Sequence, residues 1–304
     1  MKRAKAFSPC HITGFFQIFD QSTDLLHVGS RGAGVALSRG VETTVEAVPA
    51  LKRSVAIRIN GIPSDSAEVS RHVTKAMLSE LEGSKGFKID VEHNVDVPIG
   101  AGMGASGAAA LSLSLALNET LGLGMSKVEA AQVAHVAEVE CRTGLGTVIA
   151  ETFGGVEMRV RPGAPGIGEV KQIPVPEDTV VACLTFGPLS TKKLLSDKGT
   201  RTHIDEFGGK LVDMLVERPE LETFLSLSRR FAEHLRLMSQ NVRQVLDATN
   251  DAQFICSMPM FGESVFTLVK RGSLQKLVEI FQKHGSMGKV ITSDIDFEGA
   301  RVLR

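Results

Sequence analysis

Apolar and polar side chains alternate with a period of two over Phe87-Lys88-Ile89-Asp90-Val91-Glu92, and no charged side chain lies between Asp96 and Glu119. The alternation predicts a half-buried strand, and the small-residue and leucine run from Ala108 to Leu121 predicts a buried helix. Between them stands a turn, Pro98-Ile99-Gly100-Ala101-Gly102-Met103-Gly104-Ala105-Ser106-Gly107. Gly122 and Gly124 stop the helix, and Ser126-Lys127-Val128-Glu129 reads as a capping box that opens another, from Lys127 to about Glu140.

Upstream, Val41 to Val48 and Val55 to Ile59 read as strands, followed by a helix capped by Asp65 or Ser66 with Val69, Val73, Ala76 and Leu81 on one face. The first segment is apolar around Phe15, Phe16, Ile18 and Phe19. Pro9 cannot donate to a ladder, so Cys10 and His11 are expected on a loop or strand edge. Downstream, the Pro- and Gly-rich run from Arg161 to Gly168 is a break. A domain boundary is expected there, dividing the chain into 1–163 and 164–304.

A strand over Val180 to Phe186 leads to a loop ending in Lys192 and Lys193, read either as phosphate contacts or as solvated surface. Phe224, Leu227, Phe231, Leu235, Met238, Val242 and Val245 form one apolar stripe within a helical stretch from Ile204 to Leu246. Two strands, Ala252 to Ser257 and Ser264 to Val269, are expected around Met258-Pro259-Met260-Phe261-Gly262, then a helix over Leu274 to His284 and a strand over Lys289 to Thr292. Such pairs fit an α+β architecture with helices on one face of a sheet. No internal repeat or low-complexity tract is evident.

With 304 residues, 43% hydrophobic, 23% charged and a formal net charge of −1, the chain is an ordinary globular protein long enough for two domains. The near-neutral balance offers no polyanion-binding surface, so nucleic acid is not an expected partner. Cys10, Cys141, Cys183 and Cys256 are scattered without a C-x-x-C pair; they suggest neither a zinc site nor a disulfide framework and read as reduced thiols in a cytoplasm. Lys2, Arg3 and Lys5 are followed by Ser8-Pro9-Cys10-His11 and not by the apolar run of a signal peptide. Val97 to Asn118 is uncharged over the ~20 residues a bilayer needs. Its Pro and Gly cluster and Ser106, Ser112 and Ser114 argue against a membrane span.

Glycines at 100, 102 and 104 let the backbone approach a ligand, and the helix that follows turns unpaired N–H groups and its positive end toward the turn. Phosphate binds in such places. Without a nearby charged side chain, an anion there would be held by N–H groups, the Ser106 hydroxyl and a metal ion. The turn is not a Walker A loop, because no Lys-Ser or Lys-Thr follows the last glycine. Gly100-Ala101-Gly102 matches only the start of a dinucleotide fingerprint, and a merely structural buried helix is the other reading. Arg31, in Leu26-His27-Val28-Gly29-Ser30-Arg31-Gly32-Ala33-Gly34, is either part of a bulged hairpin or a bidentate clamp on the carboxylate of a small acid. His11 is either a structural hydrogen-bonder or a proton carrier.

Pro98, Gly102, Met103, Gly104, Ala105, Ser106, Gly107 and Ala108 resemble the P-x-x-x-G-L-G-S-S-A-A motif of the GHMP small-molecule kinases, with Ala105 replacing the first serine and Gly107 the first motif alanine. Ala6 to Phe16, Gly29 to Val35 and Ser257 to Phe266 are similar to segments of the archaeal pantoate kinases, so the resemblance covers essentially the whole chain. It implies the α+β GHMP kinase fold, with a ribosomal protein S5 domain 2-like N-terminal domain, a ferredoxin-like C-terminal domain and an active site in the cleft between them.

The implied activity is transfer of the γ-phosphate of ATP, with Mg²⁺, to the hydroxyl of pantoate, giving 4-phosphopantoate for coenzyme A in the cytoplasm. By the same resemblance Gly100, Gly102, Met103, Gly104, Ala105, Ser106 and Gly107 hold the triphosphate, and Ser106 and Glu138 the metal, with Glu140 in reserve. Arg31 and Arg142 orient the acid, and His11 sits near the hydroxyl. Thr147 counts with Arg31 and Arg142 among the substrate-binding residues, since it stands where mevalonate kinases and galactokinases place an aspartate that contacts the acceptor hydroxyl; the chain departs from that pattern and has no carboxylate base there. Other acceptors of homoserine or mevalonate type, a catalytically silent sensor on the same fold, and a homodimer remain open.

Overall fold

The computed structural model describes residues 2–81, 86–189 and 198–304. Lys192 and Lys193 lie outside the described residues.

Two long strands, β1 (Lys2–Phe19) and β2 (Gly29–Ala50), run antiparallel as the spine of an eight-stranded sheet. β2 is long enough to take two neighbours along the edge opposite β1. Its Val41–Ala50 half pairs with β5 (Gly86–Val95), and its Gly32–Val35 part pairs with β6 (Val156–Arg161). Beyond β5 come β3 (Ser54–Ile59), parallel to it, and the two-residue β4 (Ile62–Pro63); β7 (Glu169–Gln172) extends the β6 side. A three-stranded antiparallel sheet has β8 (Thr179–Pro188) between β9 (Gly262–Lys270) and β10 (Lys289–Ser293). The last strand, β11 (Arg301–Leu303), returns to pair with β1 in the first sheet.

Helices α1 (Glu68–Ser79), α2 (Ala105–Leu121) and α3 (Lys127–Cys141) pack with the first sheet around Val45, Ile57, Val73, Met77, Ile89, Val91 and Leu111. α2 is apolar nearly all round, as a helix covered on every side must be. The predicted capping box is present at the start of α3, with Ser126 and Glu129 bonding each other's backbone N–H groups. A short helix, α4 (Thr147–Phe153), leads into β6. Phe15 and Phe16 of β1 pack with Phe224, Phe231 and Phe266, which ties the first sheet to the C-terminal helices and to β9.

Two expectations change and one is narrowed. Of the loop and the strand edge expected for His11, the structure has the edge: β1 runs through it, β11 pairs with β1 only at Lys5–Phe7, and a register shift between Pro9 and His11 absorbs the proline's missing N–H. The stretch from 204 to 246 is divided among α5 (Lys198–Glu217), α6 (Leu221–Leu235) and α7 (Gln240–Asp251), because Pro219 and Arg236, at φ 56°, interrupt it. Ala252 to Ser257 forms no strand; α7 runs to Asp251, and only Ser257 bridges to Phe266. A final helix, α8 (Leu274–His284), covers the second sheet. The Pro- and Gly-rich turn at 161–168 joins β6 to β7 within the first sheet, and the second sheet begins only at Thr179. Among the described residues no helix is long and apolar enough to cross a membrane.

Candidate active site

A cavity of about 280 Å³ opens over the N-terminus of α2. Gly104 caps that helix in the left-handed region at φ 67°, so the chain turns sharply and Gly104, Ala105, Ser106 and Gly107 all line the cavity. Their first-turn N–H groups and the positive helix end form a cradle for an anion. The C-terminal Met-rich turn buttresses this loop. Met260 N–H donates to Thr13 C=O at 3.0 Å, and the Ser264 hydroxyl donates to Ala101 C=O at 3.0 Å. A Cβ at Gly102, where φ is 78°, would stand 2.8 Å from Met260 O, so only glycine lets the two turns meet.

Ser106 Oγ donates to Glu138 Oε1 at 2.5 Å, and Thr143 Oγ1 donates to the same oxygen at 2.7 Å. Glu138 is buried, and burial raises its pKa while the two hydroxyls oppose the rise. A hydroxyl and a carboxylate at a helix N-terminus are hard oxygen donors that suit Mg²⁺. Glu140 points away: it is exposed, and its Oε2 lies 3.2 Å from His72 Nδ1. Thr147 opens α4 and lines the cavity with a hydroxyl in place of a carboxylate.

One turn further along α4, Glu151 is fully buried, and neither of its carboxylate oxygens has a partner among the described residues. Burial, then the charge of Glu138, pushes its pKa well up. A Cβ at Gly107 would come within 2.7 Å of Glu151 Oε2, and one at Gly104 within 2.7 Å of Oε1. Glycine in place of the motif alanine at 107 was the only sequence trace of this carboxyl group.

The opposite end is built from strands. His11 Nε2 lies 2.9 Å from Glu157 Oε1, and Arg159 Nη1 donates to that same oxygen. All three side chains are essentially inaccessible to solvent, yet His11 and Arg159 line the cavity. Burial lowers the His11 pKa against the opposing Glu157 carboxylate. Arg159 Nε has no partner among the described residues. A Cβ at Gly146 would collide with Ser30 Oγ at 2.0 Å and Arg159 Nε at 2.9 Å, so the absence of a side chain keeps that corner open. Arg142, in the left-handed conformation just after α3, lines the cavity as well.

Arg31 is not among the lining residues. Its Nε donates to Val160 C=O at 3.1 Å and its Nη2 to Asp213 Oδ1 of α5 at 2.5 Å. Successive side chains of a strand face opposite ways, and in β2 it is Ser30 that faces the cavity. Arg159 was missed by sequence reasoning. Its signal was Val156-Glu157-Met158-Arg159-Val160, two opposite charges two positions apart among apolar residues of a strand.

A family profile described as GHMP kinases N terminal domain matches residues 68–155, which include the glycine loop, Glu138 and Thr147. The pantoate kinase of Methanocaldococcus jannaschii is 32% identical over 282 residues, covering 91% of this chain and 96% of that protein. A solved structure described as a phosphotransferase related to the CoA biosynthesis pathway superposes with a TM-score of 0.89 at 30% identity, covering 99% of each chain. Another, MDDEF in complex with MVAPP, AMPPCP and magnesium, has a TM-score of 0.76 at 14% identity, covering 100% of this chain and 99% of that one, and shares the fold.

Proposed function

Because this chain belongs to the pantoate kinases of the GHMP kinase superfamily, we propose that it transfers the γ-phosphate of ATP to pantoate, giving 4-phosphopantoate for coenzyme A synthesis. The observation that carries the reading is the Ser106–Glu138 pair at the glycine-capped start of α2, facing a cavity whose far end holds a buried arginine.

Backbone N–H groups of the loop bind the triphosphate, in the manner of other anion sites at helix N-termini. Ser106 Oγ and the Glu138 carboxylate would hold Mg²⁺, which when bound neutralises charge on the phosphate oxygens. The fold is shared with a protein solved with an ATP analogue and magnesium. Arg159, held in place by Glu157, and Arg142 take the acceptor's carboxylate, with Ser30 beside them. Phe16, Met260 and Phe261 form an apolar wall of the kind a dimethyl-substituted carbon needs. His11, with Nε2 committed to Glu157 and its pKa lowered, orients the ion pair as a neutral ring. No side chain at 147 can take the hydroxyl proton as a carboxylate would, and phosphoryl transfer relies chiefly on positioning and charge neutralisation.

The test is ADP release with ATP, Mg²⁺ and pantoate, run beside homoserine and mevalonate, with the product identified by mass and position of the phosphate. Turnover confined to pantoate is expected. Faster turnover of homoserine or mevalonate, or binding of both ligands without ADP release, would overturn it.

A further inference from the structure

A second group of metal-ligating side chains lies where α1 meets the end of α3. Glu68 and His72 are one turn apart on α1, and Cys141 is the last residue of α3. One donor atom from each lies within 4.8 Å of the other two. Cys141 is only 4% exposed, whereas Glu68 and His72 face solvent. An exposed His–carboxylate pair by itself is common on surfaces; a buried thiol converging on it is not. The sequence could not show this grouping, since Cys141 stands 69 positions from His72 and belongs to no C-x-x-C or H-x-x-x-H pattern.

We propose that Glu68, His72 and Cys141 bind a zinc-class divalent transition-metal ion, separate from the Ser106–Glu138 pair, and that the ion ties the start of α1 to the end of α3. The donor set is one sulfur, one imidazole and one carboxylate, which suits zinc-class ions and not Mg²⁺. Three protein donors leave a fourth, tetrahedral position to water. Glu140 completes the arrangement from behind: its Oε2 is 3.2 Å from His72 Nδ1, so Nε2 is the nitrogen left for the ion. A carboxylate on the outer nitrogen of a ligating histidine fixes its tautomer and raises its basicity. Binding exchanges the thiol proton for the sulfur–metal bond, with the proton released to water.

The position gives the ion a consequence. Cys141 immediately precedes Arg142, which lines the cavity, and Thr143, which holds Glu138. An ion at Cys141 therefore fixes the end of the helix that carries the candidate magnesium ligand.

The full chain, stripped of metal with a chelator and returned to buffer, is titrated with Co²⁺, whose bond to a thiolate gives an intense near-ultraviolet charge-transfer absorption. Saturation at one ion per chain is expected. The band should vanish in Cys141→Ser and in His72→Ala and persist in Glu138→Gln, which alters the other site. Zn²⁺ should raise the Tm of the wild-type chain and leave that of His72→Ala unchanged. His72 is exposed, so this variant reports even where Cys141→Ser fails to fold. Absence of the band in the wild type, its survival in His72→Ala, or its loss in Glu138→Gln would overturn the site.

Discussion

The two ends of the cavity are built on opposite electrostatic plans. The end at the start of α2 presents N–H dipoles, the Ser106 hydroxyl and the Glu138 carboxylate, and α2 behind it is held by hydrogen bonds among uncharged groups. Ser70 Oγ lies 3.1 Å from His93 Nε2, Thr43 Oγ1 lies 2.8 Å from His93 Nδ1, and Thr43 Oγ1 lies 2.6 Å from Ser112 Oγ of α2. The acceptor end rests on a buried ion pair, Glu157 with Arg159, steadied by His11. The difference suits what the proposed reaction would bring to each end. A magnesium-bound triphosphate brings its own countercharge and needs oriented dipoles, which cost no reorganisation on binding. A lone carboxylate brings none and needs a guanidinium held in place beforehand.

Ser106→Ala tests the phosphate end most severely. Loss of the Ser106 hydroxyl should cut kcat roughly a hundred- to a thousandfold, the scale for removing a single preorganised polar group. Tm should stay near that of the wild type, and unchanged turnover would remove the loop from the mechanism.

The neutrality of the network beneath it is tested by acid. Burial lowers the His93 pKa from the ordinary 6.5 to about 4. Between those values the unfolded chain binds a proton that the folded chain refuses. Stability is therefore intact above pH 6.5 and falls by about 3 kcal/mol as pH drops toward 4, at 1.36 kcal/mol per pKa unit. Urea melts across that range should show the loss in the wild type and a flatter profile in His93→Gln.

At the acceptor end, Arg159→Lys keeps the charge and loses the planar fork. We expect the KM for pantoate to rise about tenfold while the KM for ATP changes less than about twofold. A rise confined to the KM for ATP would break the division of the cavity into two ends. The smallest effect is expected from Arg31→Ala, which removes a partly exposed pair with Asp213 and should move the KM for pantoate by less than about twofold. A large rise would return Arg31 to the site.

The start of α2 was legible because its parts are neighbours in the chain: a glycine turn, a hydroxyl at the first turn of a helix, and a capping box that starts the next helix. Glu138 could be chosen over Glu140 only by family resemblance, since the two lie on one helix end. The fold separates them by burying one against Ser106 and leaving the other with exposed His72.

The sequence by itself determined the order of most elements and the glycine turn that opens α2, because caps, turns and alternation are set by residues within a few positions of each other. Tertiary structure decided which face of each strand meets the cavity: Ser30 and not Arg31, His11 from inside a bulged strand, Arg159 from the far side of the first sheet. A period of two distinguishes the faces of a strand but does not say which will be covered by what. That choice is made by packing between layers distant in the chain, the same packing that places Glu151 under the glycine loop and Cys141 beside His72.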